Sequence, residues 1–205
     1  IVELSLSFVE AGERRNALEI LKQALQVADS IEYTASHIRS VSKIASAMAK
    51  AGDRKNALAI LKQAAEKVRT IENANQKWSA TGGIISALVD AGDFKQAEEL
   101  VRTIENANFK ESSLKAIAKG LAAREEYKQA MTMLGLISDV NRRKNTLRNL
   151  MFSMAQAGSL KQALGFVQSI EKADDKSYAL SSLVNVSWEG ASGEEALATL
   201  QEALK

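Results

Sequence analysis

Apolar residues recur along this chain with the period of an amphipathic helix. Between Phe109 and Ala123, the residues Leu114, Ile117, Ala118, Leu121 and Ala122 fall at i, i+3, i+4, i+7 and i+8, one face of a helix. Leu160, Ala163, Leu164, Val167 and Ile170 give a second helical stripe. The stripes come in pairs, and a short phrase separates the partners: Ala11-Gly12-Glu13, Ala51-Gly52-Asp53, Ala91-Gly92-Asp93 and, in altered form, Ala157-Gly158-Ser159. Glycine suits the left-handed position that ends a helix, and the Asp or Ser after it is suited to cap the next one. Between pairs, Asn75, Asn108, Asn141 and Asp174 read as N-caps of the helix that follows. The pattern predicts an all-α protein of helix–turn–helix units.

The units repeat. Lys-Gln-Ala ends at Ala24, Ala64, Ala97, Ala130 and Ala163, a step of 40 residues followed by three steps of 33. One more step of 33 lands on Ala196, and an isoleucine stands seven residues after each of the five alanines: Ile31, Ile71, Ile104, Ile137 and Ile170. The early units are longer by seven residues between the glycine and the alanine, while both flanks stay in phase. Seven residues are close to two helical turns, so such an insertion lengthens a helix and barely rotates its buried face. The second helices starting near Arg14 and Arg54 are therefore expected to be about two turns longer than those starting near Phe94, Tyr127 and Leu160. Ala97, Ala130 and Ala163 are expected to be buried at the closest helix approach. No helix pair covers its apolar faces alone, so the pairs must stack into a right-handed array of about six, opened by a helix over Ile1–Glu10. We read residues 1–205 as one repeat domain. The chain opens in mid-helix with no signal-peptide pattern, as a piece of a longer protein would.

Composition removes most chemistry. The 205 residues include no cysteine, no proline and one histidine, His37. Thiolate sites, disulfides and multi-histidine metal sites are excluded. Eleven glycines and no proline cannot supply the turns of a sheet protein. The net charge of +2 gives no sign of a general nucleic-acid binder, and no apolar run is long enough to span a bilayer.

The string Ala91-Gly92-Asp93-Phe94-Lys95-Gln96-Ala97, followed by Leu114, Ile117, Ala118 and Leu121, resembles the tetratricopeptide repeat, TPR. The resemblance extends over nearly the whole chain. It departs from the family in its 33-residue later units, its extra heptad in the early ones, its lack of inter-unit proline, and Arg124-Glu125-Glu126 in place of one Gly-Asp turn. The resemblance implies an α-solenoid whose first helices line a concave face. Its groove positions fall on Arg39, Ser42 and Ser46; Ser79, Gly82 and Ser86; Ser112, Lys115 and Lys119; Asn145, Arg148 and Phe152; and Tyr178, Ser181, Asn185 and Trp188. Only fragments of the family's clamp for acidic chaperone tails are present, at Lys115 and Asn149, so that ligand is not implied.

The groove is small and bland at its start and becomes basic, then aromatic. The expected function is a non-catalytic scaffold for a protein or peptide partner of acidic character. The expected contacts are Lys115, Lys119, Asn145, Arg148, Phe152, Tyr178 and Trp188, with no cofactor or metal. The alternative is a structural spacer or an oligomerisation module that self-associates through an open array end. Nucleic-acid binding through Arg142–Arg148 is disfavoured, because stacking aromatics do not alternate with the charges. No phosphate loop, metal spacing or catalytic carboxylate pair stands out, and His37 has no partners for a triad. A basic residue stands six after each isoleucine (His37, Lys77, Lys110, Arg143 and Lys176). It is expected to pair with the nearby Glu32, Glu72, Glu105 or Glu171 rather than to form an anion-binding ridge. Arg142-Arg143-Lys144 with Arg148 is the one local charge cluster. Met131, Met133, Met151 and Met154 are expected in the core, Trp78 at a unit junction, and Gly82-Gly83 at a tight helix approach.

Overall fold

A computed structural model describes residues 2–156 and 160–190, apart from the side chains of 156, 160 and 186–190. Among the described residues eleven α-helices follow one another: α1 Val2–Glu10, α2 Arg14–Asp29, α3 Thr34–Lys50, α4 Arg54–Lys67, α5 Ala74–Ala91, α6 Phe94–Arg102, α7 Ala107–Ala122, α8 Tyr127–Gly135, α9 Val140–Gln156, α10 Leu160–Gln168 and α11 Ala173–Gly190. A 3-10 turn, Val68–Thr70, extends α4. Among the described residues there is no strand. The expected turn at Ala157-Gly158-Ser159 and the helix around Ala196 lie outside the described residues.

The inserted heptad is helix. α2 has 16 residues, whereas α6, α8 and α10 have 9 each, a difference of seven. α4 has 14 residues before its 3-10 turn.

The turns inside the pairs share one geometry. Gly12, Gly52 and Gly92 have φ of 81°, 98° and 77°. In each, the glycine N–H donates to the carbonyl three residues back and the next N–H to the carbonyl five back: Gly52 to Ala49 and Asp53 to Met48, or Gly92 to Val89 and Asp93 to Leu88. These paired bonds satisfy carbonyls at the helix end that would otherwise be orphaned. Asp53 and Asp93 then cap α4 and α6 by accepting from the N–H groups of Asn56 and Gln96. The turn at Arg124-Glu125-Glu126 makes the same two bonds, Glu125 to Ala122 and Glu126 to Leu121. Glu125 therefore takes the left-handed position without being glycine, at φ 63°.

The caps between pairs stand two residues earlier than expected. Asn73 accepts from the N–H of Gln76, Asn106 from Asn108 and Phe109, and Asp139 from Asn141 and Arg142. Asn75, Asn108, Asn141 and Asp174 lie inside the first turns instead. The physical reason is that a capping residue stands outside the helix with non-helical dihedral angles, as Asn73 does at φ −69° and ψ 114°, and the helix begins immediately after it.

The chain forms two compact units, Ile1–Ile117 and Ala118–Lys205. In the first, α3 packs on α1, α2, α4 and α5, and α5 packs on α4 and α6. In the second, α9 packs on α8, α10 and α11, and α10 on α11. Within each unit, then, the substantial contacts join helices one or two places apart in the chain. Ala97, Ala130 and Ala163 are fully buried, and Ile71, Ile104, Ile137 and Ile170 are buried, while Ile31 is half-buried. Of the four methionines named above, Met131 alone is only half-buried.

Candidate functional site

The second unit carries a groove of about 270 Å³ between α9 and α11. Arg148, Asn149 and Phe152 line it from α9, and Tyr178, Ser181 and Asn185 from α11. Of the expected contacts, the structure thus brings Arg148, Phe152 and Tyr178 together. Phe152 is 41% exposed, so its ring is not turned into the core. Lys144 Nζ lies 5.5 Å from the centre of the Tyr178 ring, a cation–π contact. The Ser181 and Ser182 hydroxyls donate to the Ser177 and Tyr178 carbonyls of their own helix, at 2.9 and 2.8 Å. Asn145 is exposed one turn before Asn149 but does not line the groove. Lys115 and Lys119 are exposed one turn apart on α7. The Trp188 side chain lies outside the described residues.

An ion pair joins the two helices that line the groove, at their first turns. Arg143 Nε stands 3.5 Å from Asp175 Oδ2, with the two side chains 12% and 6% exposed, and Arg143 Nη1 donates to the Ile137 carbonyl at 3.4 Å. This pair ties the first turn of α9 to the first turn of α11. Arg142 instead pairs with Asp139 at 3.9 Å. The cluster Arg142-Arg143-Lys144 therefore does not form a continuous basic patch: one member is buried, one is paired across its own turn and one covers a ring.

Two of the basic residues at the start of the first helices, Lys77 and Lys176, make a different bond from the one expected. Lys77 Nζ donates to the Arg69 carbonyl at 3.2 Å, and Lys176 Nζ to the Gln168 carbonyl at 3.5 Å. Each reaches back eight residues to the end of the preceding second helix, rather than to the glutamate after the isoleucine. The helix end offers orphan carbonyls and the negative end of a dipole, which a flexible ammonium satisfies. His37, too short for that reach, sits 8% exposed with Nε2 3.4 Å from Asp29 Oδ1, again eight residues back.

A second groove of about 270 Å³ lies in the first unit, lined by Tyr33, Ala35, Arg39, Asn75, Gln76 and Ser79. Tyr33 is 50% exposed there and was not anticipated. The available signal was its place two after Ile31, where Asn73, Asn106 and Asp139 stand elsewhere. Ser42, assigned to the open groove by register, is 2% exposed, and its Oγ has no hydrogen-bond partner. Ser181, at the equivalent position of α11, is exposed, so it is the packing around α3 and not the length of the side chain that covers Ser42. Trp78 packs on Phe109, with ring centres 6.3 Å apart. Gly83 has open space where a Cβ would stand, and a Cβ on Gly82 would make only an ordinary contact with Ser113, so no tight approach explains this glycine pair.

Burial and, to a lesser degree, the Glu125 carboxylate hold the Tyr127 hydroxyl above its ordinary pKa. Among the described residues, no three His, Cys, Asp or Glu side chains gather as a metal site would require, and no helix is long and apolar enough to cross a membrane. In comparisons with known proteins, the chain matches no family model, no curated protein and no solved structure.

Proposed function

We propose that this chain is a non-catalytic scaffold, a TPR-like right-handed α-solenoid whose first helices form a concave face that holds a peptide segment of a partner protein. Three features favour the repeat reading: the shared turn geometry, the helical heptad and the packing of first helix on first helix in α3–α5 and α9–α11. The binding reading is carried by one observation. Phe152 stands exposed beside Arg148 in a groove between two first helices, where an apolar side chain has no internal partner to serve. A surface held rigid by neighbour stacking loses little order on binding. Exposed aromatic and arginine side chains are the groups that dominate interface energies.

The test is an array of blocked and free peptides probed with the parent chain, with Lys115→Glu/Arg148→Glu and with Arg148→Glu/Phe152→Ala. Loss of captured acidic peptides in both variants, with helical circular dichroism unchanged, is the expected result. Capture unchanged in both would remove the groove as the site. A spacer or oligomerisation role is the second reading, favoured by Leu4 and Val27 at 56% and 61% exposure. Light scattering would support it if the parent were oligomeric and Leu4→Glu/Val27→Glu monomeric.

A further inference from the structure

We propose that the α9–α11 groove selects an extended peptide carrying an acidic side chain two residues from a large apolar one. This rests on the reading of that groove as a peptide site, and it names the chemistry of the partner. Arg148 and Phe152 are one turn apart on α9, a rise of about 6 Å. Alternate side chains of an extended peptide point the same way and stand about 6.4–6.8 Å apart. A carboxylate on the Arg148 guanidinium therefore brings the side chain two residues away to the Phe152 ring. A pair of adjacent residues would point to opposite sides and present only one of the two.

The charges agree. The groove lining includes one cation and no acid, and Lys144 on the Tyr178 ring adds a second positive charge at its edge. The two serine hydroxyls already donate to their own helix, so the donors that line the groove for a ligand are the Arg148 guanidinium, the Asn149 and Asn185 amides and the Tyr178 hydroxyl. Each amide offers a donor and an acceptor, the complement of a peptide unit. From Tyr178 to Asn185 the groove is about 10 Å long, room for roughly three extended residues. A volume of about 270 Å³ accommodates a short stretch of chain.

The repeats supply an internal control. At the position of Arg148 the other first helices carry Ser42, Gly82, Lys115 and Ser181, and at that of Phe152 they carry Ser46, Ser86, Lys119 and Asn185. The combination of a guanidinium and an aromatic ring one turn apart belongs to α9 alone. Nothing in the packing of α9 requires it, since both residues are exposed.

Fluorescence anisotropy on the full chain, with labelled heptapeptides blocked at both ends, tests this. Four peptides in a Ser-Gly background carry at their centre Glu-Ala-Phe, Phe-Ala-Glu, Glu-Phe or Gln-Ala-Phe. One of the two spaced acidic peptides is expected to bind roughly fivefold more tightly than its Gln counterpart, the upper range for an exposed ion pair. A similar margin is expected over the adjacent pair. The advantage over Gln should vanish in Arg148→Gln and shrink as salt is raised, and Phe152→Ala should abolish the advantage of spaced over adjacent. Equal binding of spaced and adjacent peptides would overturn the spacing and leave a peptide groove. No binding of any of the four would also overturn it, while the peptide array decides separately whether the groove binds peptides at all.

Discussion

One substitution, glycine to alanine, should move stability in opposite directions at two helical positions. At Gly83, in the interior of α5, a Cβ would meet nothing within 4 Å. The helix gains the propensity difference, about 0.8–1 kcal/mol, with no packing penalty. At Gly165, in α10, the added Cβ would lie 3.1 Å from Tyr127 Cε2. That ring is held edge-on to the fully buried Phe166, with centres 5.7 Å apart and planes at 88°. Moving it sacrifices part of an edge-to-face contact worth about 0.5–1.5 kcal/mol and strains a close-packed region by about 1–3 kcal/mol. The same propensity gain offsets only part of this, leaving Gly165→Ala destabilised by about 1 kcal/mol. Urea unfolding followed at 222 nm, with the slope compared between variants, measures both. Hydrogen exchange of α5 and α10 amides locates each effect where the array unfolds in stages. A Gly83→Ala variant no more stable than the parent would refute the open space at α5. A Gly165→Ala variant as stabilised as Gly83→Ala would refute the constraint from Tyr127.

Three further outcomes follow from the packing. Ala130→Leu inserts a branched side chain at a fully buried contact and should cost about 1–3 kcal/mol; melting equal to the parent would remove the anchor role. Arg143→Ala leaves Asp175 buried and unpaired and should cost about 3–5 kcal/mol, whereas Arg143→Met with Asp175→Leu should recover most of the loss, as urea midpoints would show. Tyr127 should ionise above its ordinary pKa of 10.0, as the difference between titrations of the parent and of Tyr127→Phe at 295 nm would show. Because its folded pKa lies above the unfolded value, its contribution is intact at neutral pH and is lost as pH rises past the ordinary 10.0 towards the folded value. Glu125→Gln should lower that pKa only slightly, since burial is the larger cause.

The helices, their pairing and their lengths were legible in the sequence because each rests on local rules. Apolar spacing sets the buried face, a left-handed glycine sets the break, and a seven-residue insertion keeps a helix in phase. α2 at 16 residues against 9 for α6, α8 and α10 follows from counting alone. The burial of Ala97, Ala130 and Ala163 was equally legible, because a repeated small residue in a repeated apolar stripe marks a close contact. The partners of polar side chains were not legible. Lys77 and Lys176 turned to carbonyls eight residues back rather than to a nearby glutamate, since orphan carbonyls at a helix end are fixed in space while a surface carboxylate remains satisfied by water. Register placed Ser42, Arg148 and Ser181 at equivalent positions, yet tertiary packing buried the first and left the other two in a groove, because exposure depends on which helices lie against each one, and α3 packs on α1, α2, α4 and α5. Tertiary structure likewise divided Arg142-Arg143-Lys144 among an ion pair on its own turn, an ion pair with the buried Asp175 and an aromatic ring. A run of like charges is a property of the chain, but where each charge points is decided by which helix lies against it.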